Sequence, residues 1–75
     1  MITNSIGQAI RHYRLEKKLS QDELSKLAGV SYHTIVKLEQ PNRSVNPTVE
    51  TIVLIAKALG VSIQELIFHE MEAVS

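Results

Sequence analysis

Few residues in this 75-residue chain could do chemistry, and their spacing narrows them quickly. The three histidines, His12, His33 and His69, have no carboxylate or cysteine cluster beside them at metal-ligand spacing, so no metal site is expected. Ser20, Ser31 and Ser62 are the serines to weigh as nucleophiles. Each stands directly before an apolar helical pattern, and a helix cap accounts for each. There is no cysteine and no glycine-rich phosphate loop. The sequence therefore predicts no catalytic residue, no cofactor and no enzyme. One stretch remains unexplained: "VSYHTIVKLEQ", from Val30 to Gln40.

On a helix advancing about 100° per residue, Ile35 and Leu38 mark the inner side of this stretch. Lys37, His33 and Gln40 then fall about 140–200° from Ile35, facing outward, with Tyr32, Thr34 and Val36 at the flanks. An ordinary solvent face prefers Glu, Lys, Gln and Ala. This face offers an imidazole, an amide, a cation, a hydroxyl and a valine methyl. Such groups suit base edges in a major groove: Lys to guanine O6 and N7, apolar groups to the thymine methyl. An arbitrary polar surface would explain any one of them; the set is harder to explain that way.

The elements that must position this face are legible from their caps. An apolar residue, a Ser, and an apolar residue four further on occur three times: Leu19-Ser20…Leu24, Val30-Ser31…Ile35 and Val61-Ser62…Leu66. The Ser accepts from a first-turn amide and the apolar pair staples the entry. Glu23 and Glu65 complete capping boxes in two of them. Helices are expected to start at about 20, 31 and 62. "NP" at 46–47 predicts a fourth, with Asn46 as cap and Pro47 at the first helical position. The first helix is expected to open near Thr3 or Asn4 and run to about Lys18.

Core faces follow from the period: Ile6, Ala9, Ile10 and Tyr13; Leu24, Leu27 and Ala28; Ile35 and Leu38; Ile52, Ile55, Ala56 and Leu59. On the last helix Ile63, Leu66 and Ile67 face inward. Phe68 and Met71 fall on the far side, as does Leu54 on the helix before. These exposed apolars predict a homodimer through Leu54, Phe68 and Met71, with Ile67 at the edge. Gly29 and Gly60 are expected to end helices in the left-handed conformation. Ala28-Gly29-Val30 joins two short helices by a tight turn, and Ser25 and Ala28 are small enough for close packing across it. That is helix-turn-helix geometry, a shape also open to any αα-hairpin.

Composition agrees with one all-α domain over residues 1–75, with the helix-turn-helix at about 20–40 and a C-terminal helix at about 62–72. A chain this short buries roughly 60% of its unfolded surface. With 44% hydrophobic residues, one Phe, two Tyr and no Trp, its core must be aliphatic. No apolar run approaches the roughly 18 residues of a membrane span, and no signal-peptide pattern opens the chain, so it reads as cytoplasmic. Net charge is zero but unevenly placed. Residues 1–46 carry seven Lys/Arg against four Asp/Glu, and residues 47–75 one Lys against four Glu. The first half is suited to face an anion.

From Ile6 to Leu66 the chain resembles the Cro/phage-repressor (xenobiotic-response-element) helix-turn-helix family. The resemblance is carried by "IGQAIRHYRLEKKLSQDELSKLAGVSYHTIVKLE" and "NPTVETIVLIAKALGVSIQEL". It implies a five-helix, lambda-repressor-like fold, a homodimer on double-stranded operator DNA, and the third helix in the major groove. It implies base-reading roles for Tyr32, His33 and Lys37, beside which Val36 offers its methyls. Gln21 matches a phosphate-contacting position that also supports the third helix, and Ser31 and Thr34 match positions that touch phosphate or bases, here assigned to phosphate. Asn42, Arg43 and Ser44 lie in the loop that gives further phosphate contacts. Arg14 and Glu39 match a pair that is often a partly buried ion pair. Three positions depart from the pattern. Ser25 stands where Ala is common, and Leu54 where a polar residue is usual. The loop "EQPNRSVNP" is about two residues longer, with Pro41 near the usual Gly.

The function so implied is a stand-alone transcription regulator, foremost a repressor. A controller protein of a restriction–modification locus and an antitoxin with a toxin partner are rivals within DNA binding. A protein-interaction module of the same fold that has lost DNA binding is the rival from another class. The basic residues of the third helix and its following loop favour DNA.

Overall fold

Capping residues set the helix starts. The computed structural model describes residues 5–40 and 47–67, and among them five helices and no strand. They are α1 (Ser5–Glu16), α2 (Gln21–Ala28), α3 (Tyr32–Glu39), α4 (Val49–Leu59) and α5 (Ile63–Ile67). Before α2, Ser20 Oγ accepts from Glu23 N at 3.0 Å and Ser20 N donates to Glu23 Oε1 at 2.8 Å. The same reciprocal pair joins Ser62 and Glu65 before α5, at 3.0 and 2.8 Å. Each box satisfies two amides that the helix itself leaves without partners.

Two boundaries differ from the sequence pattern. Thr48, not Asn46, caps α4: its hydroxyl accepts from Thr51 N at 3.1 Å and lies 2.9 Å from the Thr51 hydroxyl. Pro47 therefore precedes the cap instead of occupying the first turn, where its missing N–H would also have been harmless. Asn46 itself lies outside the described residues, as do Thr3 and Asn4. Helix α1 stops at Glu16, two residues early, because Lys18 takes a left-handed conformation (φ 58°). Leu19 N then reaches back to Arg14 O at 3.0 Å, which closes the helix end.

The core is aliphatic: Ala9, Ile10, Leu24, Ala28, Ile35, Leu38, Ile55, Ala56, Leu59 and Leu66 are buried. Burying each Leu or Ile contributes about 1.5–3 kcal/mol before entropy is counted. Helix α1 packs on α3, α4 and α5, while α2 packs on α3 and α4. Two expected core residues are not inside. Leu27 is 62% exposed and Ile63 is 38% exposed. On α2 the buried stripe runs Leu24, Ser25, Ala28, so small Ser25 takes the inner place and Leu27 turns outward. On the single-turn α5, only Leu66 is fully covered. Among the described residues, no helix is long and apolar enough to cross a membrane.

Gly29 (φ 75°) ends α2 with its N–H donating to Ser25 O at 2.9 Å, and Val30 N reaches the same carbonyl at 3.1 Å. This turn delivers Ser31 to cap α3, where its hydroxyl accepts from Thr34 N at 3.1 Å. Ser25 does not leave a stranded hydroxyl in the core, because its Oγ donates to Asp22 O at 2.7 Å.

Candidate nucleic-acid interface

Helix α3 is amphipathic with its apolar side anchored. Ile35 is fully buried and Leu38 nearly so. That fixes which residues look out: Tyr32, His33, Lys37 and Gln40 are exposed, while Thr34 and Val36 are half-buried at the flanks. The Tyr32 and His33 rings lie 6.3 Å apart, tilted by 58°. Lys37 makes no ion pair with any described residue, so its charge is available. Ser31 Oγ, besides capping, lies 2.8 Å from Thr34 Oγ1, which places two hydroxyls side by side at the start of α3.

The end of α3 is tied to the rest of the molecule by one network. Arg14 Nε donates to Glu39 Oε2 at 2.8 Å and Arg14 Nη2 to Glu39 Oε1 at 2.9 Å, a two-pronged pair. Arg14 Nη1 donates to Leu19 O at 2.8 Å, and Gln21 Nε2 to Glu39 Oε1 at 3.1 Å. The Arg14 and Glu39 side chains are 9% and 3% exposed. The hydrogen bond to Glu39 holds the Arg14 pKa above its ordinary value; the Coulomb attraction of Glu39 adds to this and burial opposes it. One guanidinium thus ties α1, the α1–α2 turn and the C-terminus of α3, and Gln21 adds the start of α2.

The remaining candidates divide. Asn42, Arg43 and Ser44 lie outside the described residues, as do Phe68 and Met71. Leu54 is half-buried and packs against the core cluster, so it is less exposed than its place on the helix implies. Ile67 is half-buried. Sequence reasoning overlooked Gly7, where α1 meets the α3 backbone. A lone Gly inside a helical pattern was the available signal of close approach.

The match to known proteins covers the helix-turn-helix and the Arg14–Glu39 network. The family described as helix-turn-helix matches residues 10–66. The chain belongs to that helix-turn-helix family, in its Cro/phage-repressor branch. The helix-turn-helix is similar to SinR of Bacillus subtilis, with 34% identity over 89% of this chain and 60% of SinR. It is similar to the control protein C.SmaI of Serratia marcescens, with 32% identity over 92% of this chain and 80% of that protein. Among solved structures, SinR in complex with DNA superposes with a TM-score of 0.77 at 34% identity, over 83% of this chain and 97% of that one. The restriction–modification controller C.AhdI of Aeromonas hydrophila gives 0.74 at 32% identity, over 83% and 91%.

Proposed function

We propose that this helix-turn-helix protein is a sequence-specific DNA-binding transcription regulator, acting as a repressor and binding its operator as a homodimer. The observation that carries the reading is the outward face of α3. Tyr32, His33, Val36 and Lys37 stand away from an anchored apolar side, on a helix fixed at both ends by Ser31 and by Arg14–Glu39. Those four read bases, while Gln21, Ser31 and Thr34 hold phosphates, joined by Asn42, Arg43 and Ser44 of the following loop. The DNA complex of SinR supports the reading, since that protein shares this part of the fold. The dimer joins through Leu54, Ile67, Phe68 and Met71.

A second reading within DNA binding is control of a restriction–modification locus. It is favoured by the likeness to C.SmaI and C.AhdI, which extends over 80% and 91% of their lengths.

The test of DNA binding itself is affinity for genomic fragments across a salt series. Phosphate neutralisation releases counterions, so log K should fall with log salt by about 0.9 for each phosphate held. A slope near zero would remove the DNA-binding reading.

A further inference from the structure

We infer that Arg11 is a ligand for a backbone phosphodiester, seated in a cleft between α1 and the α2–α3 unit; the inference rests on the DNA-binding reading above. The cleft is open, about 340 Å³, and lined by Arg11, Arg14, Gln21, Val36, Glu39 and Gln40. Its charge is decided by pairing. Arg14 and Glu39 cancel one another at 2.8–2.9 Å, and the Gln21 amide adds a third hydrogen bond to the same carboxylate. The uncancelled charge on the lining is the Arg11 guanidinium, which is exposed and has no ion pair among the described residues.

Two further features fit an anion. Three of the five Arg14 N–H groups are used by Glu39 and Leu19. Two remain on a side chain that is more than nine-tenths buried and lines the cleft. Arg11 precedes Arg14 by three residues, so both lie on one side of α1. The nearby carboxylates are engaged elsewhere. Glu16, which borders a neighbouring groove with Arg11, lies 3.3 Å from His12. Asp22 lies 3.3 Å from Lys26, and Glu23 accepts from Ser20 N. A solvated surface cation is the plain alternative for Arg11. Its place decides against that: the cleft opens beside Val36 and Gln40, which belong to the same side of α3 as the outward face. A duplex lying on α3 therefore brings its backbone to this cleft. A phosphodiester is a monoanion with two free oxygens, and guanidinium groups match it with paired, charge-assisted hydrogen bonds.

Full-chain Arg11→Gln and Arg11→Lys test this against wild type on one bound DNA fragment. Arg11→Gln should lower the salt slope by about 0.9 per subunit, so that a tenfold change in salt alters affinity about 8-fold less for each subunit bound. Ethylation interference should lose one phosphate per half-site, while the bound sequence motif stays the same. Arg11→Lys should restore most of the slope. Thermal melts of both variants should match wild type, since the side chain is exposed. If Arg11→Gln keeps the wild-type slope and footprint, Arg11 holds no phosphate. If it fails to fold, Arg11 is structural and the inference is overturned. A wild-type chain that binds no DNA overturns the proposed function, and this inference with it; a steep wild-type slope left unchanged by Arg11→Gln overturns this inference alone.

Discussion

Gly7 on α1 lies against the Leu38 carbonyl on α3 so closely that a Cβ at position 7 would stand inside contact distance of that oxygen. The obstruction is backbone, so no side-chain rotation relieves it. Gly7→Ala would gain about 0.5–1 kcal/mol from helix propensity. Overpacking costs about 1–3 kcal/mol, and here it can be relieved only by pushing α3 away from α1. The cost should win. The urea midpoint is expected to fall, and DNA affinity with it, because the displaced element is the helix proposed to read bases. A raised midpoint would show that the two helices have slack between them.

Arg14 and Glu39 should behave as a coupled pair. Removing one partner of a buried pair costs about 3–5 kcal/mol, because the other charge is stranded. Arg14→Ala also strands Leu19 O, and Glu39→Ala frees the Gln21 amide. The double variant should therefore lose clearly less than the sum of the singles. The pH sign follows from the raised Arg14 pKa. A cation with a raised folded-state pKa contributes fully below its unfolded value and loses that contribution only as pH rises through the folded one. On the Arg14 side, then, the contribution persists through neutral and moderately alkaline pH. Strictly additive losses in thermal melts would refute the coupling.

Lys18 and Gly29 should respond to mutation with opposite signs. Both take left-handed backbone conformations, with φ of 58° and 75°. For a residue with a Cβ this costs about 1–2 kcal/mol, part of which glycine returns through its freer unfolded state. Lys18→Gly should stabilise by up to about 1 kcal/mol. Gly29→Ala should destabilise by a similar amount, and purely through conformation, because a Cβ there meets nothing within 4 Å. Denaturant midpoints moving in the same direction for both would refute the argument.

What was legible in the sequence was local. Ser20, Ser31 and Ser62 announce helix starts because cap, staple and, for two of them, capping-box partner all lie within five residues. "NPT" offers three residues that each suit a helix start, and only the Thr48–Thr51 contact selects among them. Leu27 and Ile63 were misread because periodicity finds an apolar stripe without saying where it is centred. On α2 the neighbouring helices choose the Ser25 side. Arg14 and Glu39 lie 25 residues apart, beyond any periodic signal, so only the family resemblance brought them together. The cleft at Arg11 is likewise tertiary, assembled from three helices.

Lys37 and Gln21 should separate reading from holding. Lys37 is exposed mid-helix opposite the buried Ile35, where its stem can reach a groove floor. Gln21 is half-buried at the start of α2, with its amide donating to Glu39 at 3.1 Å. Its place at a helix N-terminus, where unpaired amides and the dipole favour an anion, suits a phosphate. Phosphate contacts position a protein without carrying sequence information, whereas base contacts specify. Lys37→Ala should therefore lose roughly 1–3 kcal/mol on the preferred operator and relax choice at one base pair per half-site. Gln21→Ala should weaken all sequences about equally. Half-sites should be spaced about 10 base pairs apart, one turn of the duplex. Selection from a random DNA pool with wild type and both variants measures all three. The assignment of roles would be reversed if Lys37→Ala returned the wild-type motif while Gln21→Ala altered it.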